Sequence, residues 1–420
     1  MNFSMFGDKV NNKSGIKSLM DDLGHAMAVN RNMLMLGGGN PAHIPAVQNI
    51  LRNSMKEVMD SGTLFEECIG NYDSPQGNIS FIGELAGLLN REFGWNIKSS
   101  NIALTNGSQS AFFLLFNMFS GRFRDGSFKK ILLPLTPEYI GYSDVGITAD
   151  EIFTSIRPEI THLDDNIFKY NIDFNNLNID ENIGAICVSR PTNPTGNVLS
   201  DSEIEKLISL SKEHDIPLII DSAYGTPFPD MIYTDAKPYW NEQIIVCMSL
   251  SKLGLPGVRT GIIIADEKVI EAVSQMNAVM NLAPGSVGAV IAESLVNSGE
   301  IISMSKNMIK PHYRKKADLA VNHFKDSLNG VDYHIHKPEG AFFLWLWFRG
   351  IKIDSNILYE RLKERGVLIV PGQYFFPGLA DEWIHKNECI RVTYSQGEDA
   401  VAKGIGIIAE EVKKGYISYP

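Results

Sequence analysis

Short, almost uninterrupted apolar runs alternate with helical spacings through the middle of the chain. The runs are Ile102–Leu104, Ile131–Pro134, Ile152–Ile156, Ala185–Val188, Leu218–Ile220, Ile244–Met248 and Ile262–Ala265. Apolar stretches of this length between turn residues predict buried strands. Helical spacing covers 46–60 and 79–93. Ser200-Asp201-Ser202-Glu203 is a capping box, and it opens a helix that carries Ile204, Leu207 and Ile208 on one face. Strands apolar on both faces, alternating with helices, predict an α/β domain whose mainly parallel sheet is flanked by helices.

The pattern changes past about 284. Tyr313, Ala317, Ala320, Phe324 and Leu328 make a helical stripe, with Pro311 marking a break or kink upstream. Strand-like runs follow at Ala341–Phe348, Val367–Val370 and Cys389–Tyr394. A last amphipathic helix carries Val401, Ile405, Ile408 and Val412. The expected organisation is an N-terminal arm (1–45) packing with the small domain and a large domain (46–295). A connecting helix (296–330) then leads to a small α+β domain (331–420). No internal repeat or low-complexity tract interrupts this order.

Composition narrows the classes. The chain has 420 residues, 44% hydrophobic and 21% charged, ample for a packed core. With 49 acidic and 38 basic residues the formal charge is −11, which argues against a nucleic-acid or anionic-membrane partner but leaves room for a local basic pocket. Cys68, Cys187, Cys247 and Cys389 lie far apart, and Cys187 and Cys247 sit inside apolar runs as reduced thiols would. The first residues have no apolar signal core, and the longest apolar stretch, Ala341–Phe348, is too short to cross a bilayer. A reduced, cytoplasmic protein is expected. His334 and His336 would share a strand face, but without a neighbouring cysteine or carboxylate cluster they read as structural, and no metal site is expected.

In parallel α/β sheets ligands bind beyond the carboxyl ends of the strands. Residues suited to chemistry cluster there in this chain. Gly107-Ser108-Gln109 follows the first run, Tyr139 the second and Asn193 the fourth. Asp221 and Tyr224 follow the fifth, and Ser249, Ser251, Lys252 and Arg259 the sixth. A lysine in a Gly/Pro-rich loop is often only a solvated surface residue. Ser249-x-x-Lys252 also fits a serine nucleophile activated by lysine, but the Ser-Asp-Asn and Lys-Thr-Gly partners of that chemistry are missing from the chain. A third reading is an enzyme that holds a pyridoxal phosphate coenzyme. Lys252 would take its aldehyde, Asp221 would keep its ring nitrogen protonated, and Asn193 and Tyr224 would bind its phenolic oxygen. Ser249, Ser251, Arg259 and the backbone amides of Ser108 and Gln109 would hold its phosphate. Tyr139 would cover its ring, and the Arg391 guanidinium would grip a substrate carboxylate.

Asn193-Pro194-Thr195-Gly196, Asp221-Ser222-Ala223-Tyr224, Ser249-Leu250-Ser251-Lys252 with Arg259, and Arg391 resemble the fold-type I, pyridoxal phosphate-dependent aminotransferases in order and spacing. The resemblance spans essentially the whole chain. It implies an enzyme acting on an amino acid and a 2-oxo acid, with Lys252, Asp221 and Tyr224 catalytic and Gly39, Asn193 and Arg391 at the substrate. It also implies a homodimer in which Tyr72 reaches the neighbouring active site. Two departures stand out. Arg259 follows Lys252 by seven residues where many relatives have eight, and Gln109 stands where threonine or serine is common. Further segments resemble one branch of the family: Phe6-Gly7-Asp8-Lys9, Ser14-Gly15-Ile16, Met35 to Pro41, Pro137 to Tyr142 and His336 to Ala341.

Overall fold

The computed structural model describes residues 2–11, 22, 24, 33–163 and 166–417; Ser14–Ile16 and much of the N-terminal arm lie outside the described residues. Six strands build the larger sheet: β1 Ile102–Thr105, β2 Phe128–Leu133, β3 Ile183–Ser189, β4 Leu218–Asp221, β5 Ile244–Ser249 and β6 Gly261–Ile264. Their order is β1-β6-β5-β4-β3-β2, and the short strands Gly121–Arg122 and Phe153–Ser155 join at β2. Strands β2 to β5 run parallel, while β6 is antiparallel to both its neighbours.

Every residue of β1, β3, β4, β5 and β6 is buried, which explains why these strands read as continuous apolar runs rather than alternating ones. Alternate residues feed two cores. Ala103, Ile131, Ala185, Ile219, Ile245 and Ile263 pack with Phe112, Phe116 and Val273 on one face. Leu104, Leu132, Ile186, Ile220, Val246 and Ile262 pack with Leu85, Leu89 and Leu207 on the other. Each of the Leu, Ile, Val and Phe side chains contributes about 1.5–3 kcal/mol of burial free energy, so the sheet is a stiff platform.

The predicted helices form at Pro45–Asp60, Ile79–Phe93 and Asp201–Glu213. In the last, the Ser200 hydroxyl accepts from the Glu203 amide at 3.2 Å and Glu203 accepts from the Ser200 amide at 2.8 Å. The expected break near Pro311 is a π-helical turn, Ser305–Ile309, directly before helix Lys310–Ser327. Proline supplies no N–H and crowds the carbonyl four residues back, so a widened turn accommodates it. Tyr313, Ala317, Ala320 and Phe324 form the buried stripe of that helix.

A second sheet has the order Val370–Pro371, Cys389–Thr393, Phe343–Trp347, His334–His336, Ile167–Asn171, Glu159–His162. Its last two strands come from the middle of the chain, within the segment expected to belong wholly to the large unit, and Ile167 pairs with Ile335. The run Val367–Val370 is two short strands rather than one. Val367–Leu368 pairs with Leu34–Met35, and Val370–Pro371 pairs with Cys389–Thr393. Pro371 lacks the N–H that would extend the ladder, so the chain serves there as an edge. His336 is buried, accepts from the Tyr170 amide at 3.1 Å, and is pushed down to about 3 by burial. Among the described residues no group of three His, Cys, Asp or Glu side chains converges as a metal site.

Candidate active site

Strand register brings the site to one edge of the large sheet. Ser189 and Cys247 both lie level with Asp221, and Gly261 lies level with both Ser249 and Thr105. The loops leaving β1, β3, β4 and β5 therefore emerge side by side. Between them and the second sheet lies a cavity of about 370 Å³. Gly39, Ser108, Gln109, Tyr139, Asn193, Asp221, Tyr224, Ser249, Ser251, Lys252, Arg259 and Arg391 all line it. Positions spread over more than 350 residues of sequence thus converge on one space, as does the carbonyl of Gly37, which accepts from Arg391 at 2.7 Å.

Lys252 follows β5 and turns its amine into the cavity, where it donates to the Gly39 carbonyl at 2.8 Å. Burial, then the charges of Arg391 and Arg259, lower its pKa to about 8, with Asp221 pulling the other way. Asp221 ends β4. It accepts from the Tyr142 hydroxyl and from the Ala223 amide, both at 2.8 Å. Burial raises its pKa to about 6 against those bonds and the nearby lysine. At neutral pH the cavity thus holds a carboxylate and an easily deprotonated amine.

The loop after Lys252 closes early: a 3₁₀ turn at Pro256–Val258 leads to Arg259 in the left-handed region, φ 50°. That conformation is costly outside glycine, and it falls in the loop whose Lys-to-Arg spacing is seven residues. Arg259 then donates to the Ser251 hydroxyl at 3.2 Å. Gly107, φ 85°, lies behind the guanidinium rather than lining the cavity. A Cβ there would fall 2.0 Å from Nη2 of Arg259, so only glycine fits. It leads into helix Ser108–Phe119, whose N-terminus points its free amides at the same place. The Gln109 side chain is engaged elsewhere, donating to the Gly141 carbonyl at 2.7 Å.

Arg391 comes from the second sheet and is buried between the rings of Phe343 and Phe375. It donates to Asn193 at 2.7 Å, while its Nε is buried with no hydrogen-bond partner among the described residues. Burial lowers its pKa to about 10, which leaves it charged at neutral pH. Tyr72 is apart from this group: it is 83% exposed and does not line the cavity. Two residues given no role from sequence also belong here. Tyr142 reaches Asp221, and Ser189 lines the cavity one position beyond the Ala185–Val188 run, where strand-end reasoning reaches it only in retrospect.

A lysine, an aspartate and an arginine from the large sheet's loops, met by an arginine from the second sheet around one cavity, define a class, and comparison with known proteins agrees. The model of the family "aminotransferase class I and II" matches residues 31–405, and the chain belongs to that family. It is 48% identical to valine–pyruvate aminotransferase of Escherichia coli K12 over 99% of both chains. The solved valine–pyruvate aminotransferase of Salmonella typhimurium LT2 superposes with a TM-score of 0.88 at 48% identity, covering 96% of this chain and all of that one. A solved chain from Psychrobacter arcticum 273-4 gives 0.97 at 50% identity over the whole of both.

Proposed function

We propose that the enzyme exchanges amino groups between L-valine and pyruvate, giving 3-methyl-2-oxobutanoate and L-alanine in two half-reactions, with pyridoxal 5'-phosphate as coenzyme. The observation that carries this reading is near-full-length identity to a valine–pyruvate aminotransferase combined with the convergent cavity. The residues fit the coenzyme. The helix start at Ser108, Ser249, Ser251 and Arg259, with Gly107 making room behind the guanidinium, offer an anion cradle, and Asp221 offers a buried carboxylate suited to a protonated ring nitrogen. When bound, the coenzyme supplies an aldehyde that takes up amines and a ring that accepts electrons from the substrate's α-carbon.

The protein's residues do the rest. Lys252 holds the aldehyde in the resting enzyme and moves the proton at the substrate α-carbon, a task its lowered pKa suits near neutral pH. Asp221 holds the ring-nitrogen proton. Asn193 and Tyr224, which line the cavity, would donate to the phenolic oxygen, and Tyr139 would cover the ring. Arg391 lines the cavity together with Gly39 and Asn193, and its guanidinium is the group suited to a substrate carboxylate. A recess of about 200 Å³ beside Lys252, lined by Pro41, Ala42, Val47, Leu253 and Tyr313 as well as by Asn40, His43 and Gln48, has room for a small side chain.

A homodimer completes the reading, with Tyr72 entering the neighbour's site. Its support is an exposed apolar surface: Tyr72, Ile79, Val279, Met280 and Leu282 are all exposed. Asn277 donates to the Pro75 carbonyl at 2.9 Å and so ties the two segments together. Four unpaired thiols support a reducing, cytoplasmic setting. The test is a half-reaction screen on the yellow, coenzyme-loaded protein. Valine and alanine are expected to bleach it and aspartate to leave it unchanged; bleaching by aspartate alone, or pyruvate plus ammonia from a β-substituted substrate without amino-group exchange, would refute the reading.

A further inference from the structure

Behind Asp221 lies a second buried carboxyl to which the reaction above gives no work. Glu138 precedes Tyr139 and is buried beside the edge of the sheet. One of its oxygens accepts from the Ser189 amide at 2.9 Å, and the other lies 2.6 Å from the Ser189 hydroxyl. That hydroxyl lies 3.4 Å from the Tyr142 hydroxyl, which reaches Asp221 at 2.8 Å. The four side chains form one line, Glu138–Ser189–Tyr142–Asp221, all of them buried.

Counting protons along that line distinguishes two states. With both carboxyls ionised, Ser189 must donate to Glu138 and Tyr142 to Asp221. The two hydroxyl oxygens then face each other with no hydrogen between them, a contact that burial penalises. One added proton on either acid resolves this, and Asp221, which lines the cavity together with the Lys252 amine, is the acid better held ionised, so the proton falls to Glu138. Glu138 donates to Ser189, Ser189 to Tyr142 and Tyr142 to Asp221, so every contact carries a hydrogen and all donors point one way. We propose that Glu138 is a positioning residue held as the neutral acid, and that its proton orients the Ser189 and Tyr142 hydroxyls so that the negative charge stays on Asp221.

The surroundings agree. Glu138 is faced by Tyr139 and Tyr142 from its own segment, by Cys187 and Ser189 from β3 and by Asp221 from β4. Burial first, then the charge of Asp221, favours the protonated form over the Ser189 and Tyr139 hydrogen bonds, lifting its pKa to about 8 against about 6 for Asp221. The acid nearer the cavity therefore loses its proton first.

This inference rests on reading Asp221 as the partner of the coenzyme's ring nitrogen, so its first test uses protein stripped of coenzyme. An infrared difference spectrum of wild type minus Glu138→Gln at neutral pH is expected to show a protonated-carboxyl C=O band. Absence of that band overturns the proposal and leaves the aminotransferase reading untouched. Should Glu138→Gln not fold, Ser189→Ala keeps the acid but removes its hydroxyl partner. The wild-type band must then shift in frequency, and an unshifted band overturns the proposal as well. In coenzyme-loaded protein, the glutamine amide can still donate to Ser189. Glu138→Gln should therefore keep the pH midpoint of the visible absorption, whereas Glu138→Ala moves it by about one pH unit or more. Equal midpoints in the two variants would contradict the relay.

Discussion

Two of the buried charge clusters in this protein, those around Glu339 and around Lys252, are built in opposite ways. Around Glu339 every group is answered within the chain. Lys169 donates to Glu339, to the Asn197 side chain and to the Val198 carbonyl, while Lys337 holds the other Glu339 oxygen at 2.9 Å. Burial pushes Glu339 up, but Lys169 and Lys337 outweigh it and hold the carboxyl below its ordinary range. Around Lys252 the account is left open. Arg391 keeps a buried Nε with no hydrogen-bond partner among the described residues, and burial dominates both Lys252 and Asp221. The first cluster joins Ile167–Asn171 of the second sheet to the Asn193 loop and is finished without a ligand. Unspent hydrogen-bonding capacity at a cavity, beside a buried amine and a buried carboxyl, fits a site that a ligand completes.

Breaking the open cluster at its centre should have the largest effect. Lys252→Ala is expected to fold, since it loses one hydrogen bond to Gly39, yet to lose roughly 10²–10⁴-fold or more in kcat, measured by alanine formation from pyruvate and valine. In the closed cluster the expectation reverses. Lys169→Met should leave coenzyme binding in place but cost about 3 kcal/mol of stability in urea unfolding, because a buried carboxylate loses its nearer partner while Lys337 remains. The sign with pH follows from the depressed pKa of Glu339. The difference between wild type and variant should be full above pH 4.5, the ordinary value, and fade as pH falls through the lower folded value. A smaller loss is expected for Arg391→Lys. It keeps the charge but not the fork, and should lower kcat/KM for valine by roughly 10- to 150-fold, the equivalent of about 1.5–3 kcal/mol. The mildest test alters no residue. Uptake of coenzyme by the apoprotein should quicken as pH rises through about 8, where Lys252 becomes neutral, and a rise centred near the ordinary lysine value of 10.5 would contradict its depressed pKa.

The contrast also explains what could be read in the chain. The large sheet was legible because strands covered on both faces are apolar at every position, and Ile244–Ser249 and Leu218–Asp221 announce themselves that way. Once those strands are placed, the rule that ligands sit beyond their carboxyl ends leads to Asp221, Lys252 and Asn193 without knowledge of any partner residue. The hairpin of Glu159–His162 and Ile167–Asn171 was not legible. Its first strand is largely exposed and its second alternates, so no continuous run betrays it, and its pairing with His334–His336 is a contact across more than 160 residues. Arg391 could be named, but its burial between Phe343 and Phe375 depends on a sheet whose assembly the sequence does not reveal. The link from Asp221 through Tyr142 to Glu138 stayed hidden for a similar reason. The Tyr142 hydroxyl in a short irregular segment and the Ser189 hydroxyl at a strand end look ordinary until the fold sets them in line.

The central claim is that this cavity holds pyridoxal phosphate on the amine at 252. Borohydride reduction of the coenzyme-loaded protein followed by peptide mapping addresses it most directly. A pyridoxyl mass on the peptide containing Lys252, and absent from it in Lys252→Ala, is the predicted result. A stoichiometric label on another lysine would contradict the account.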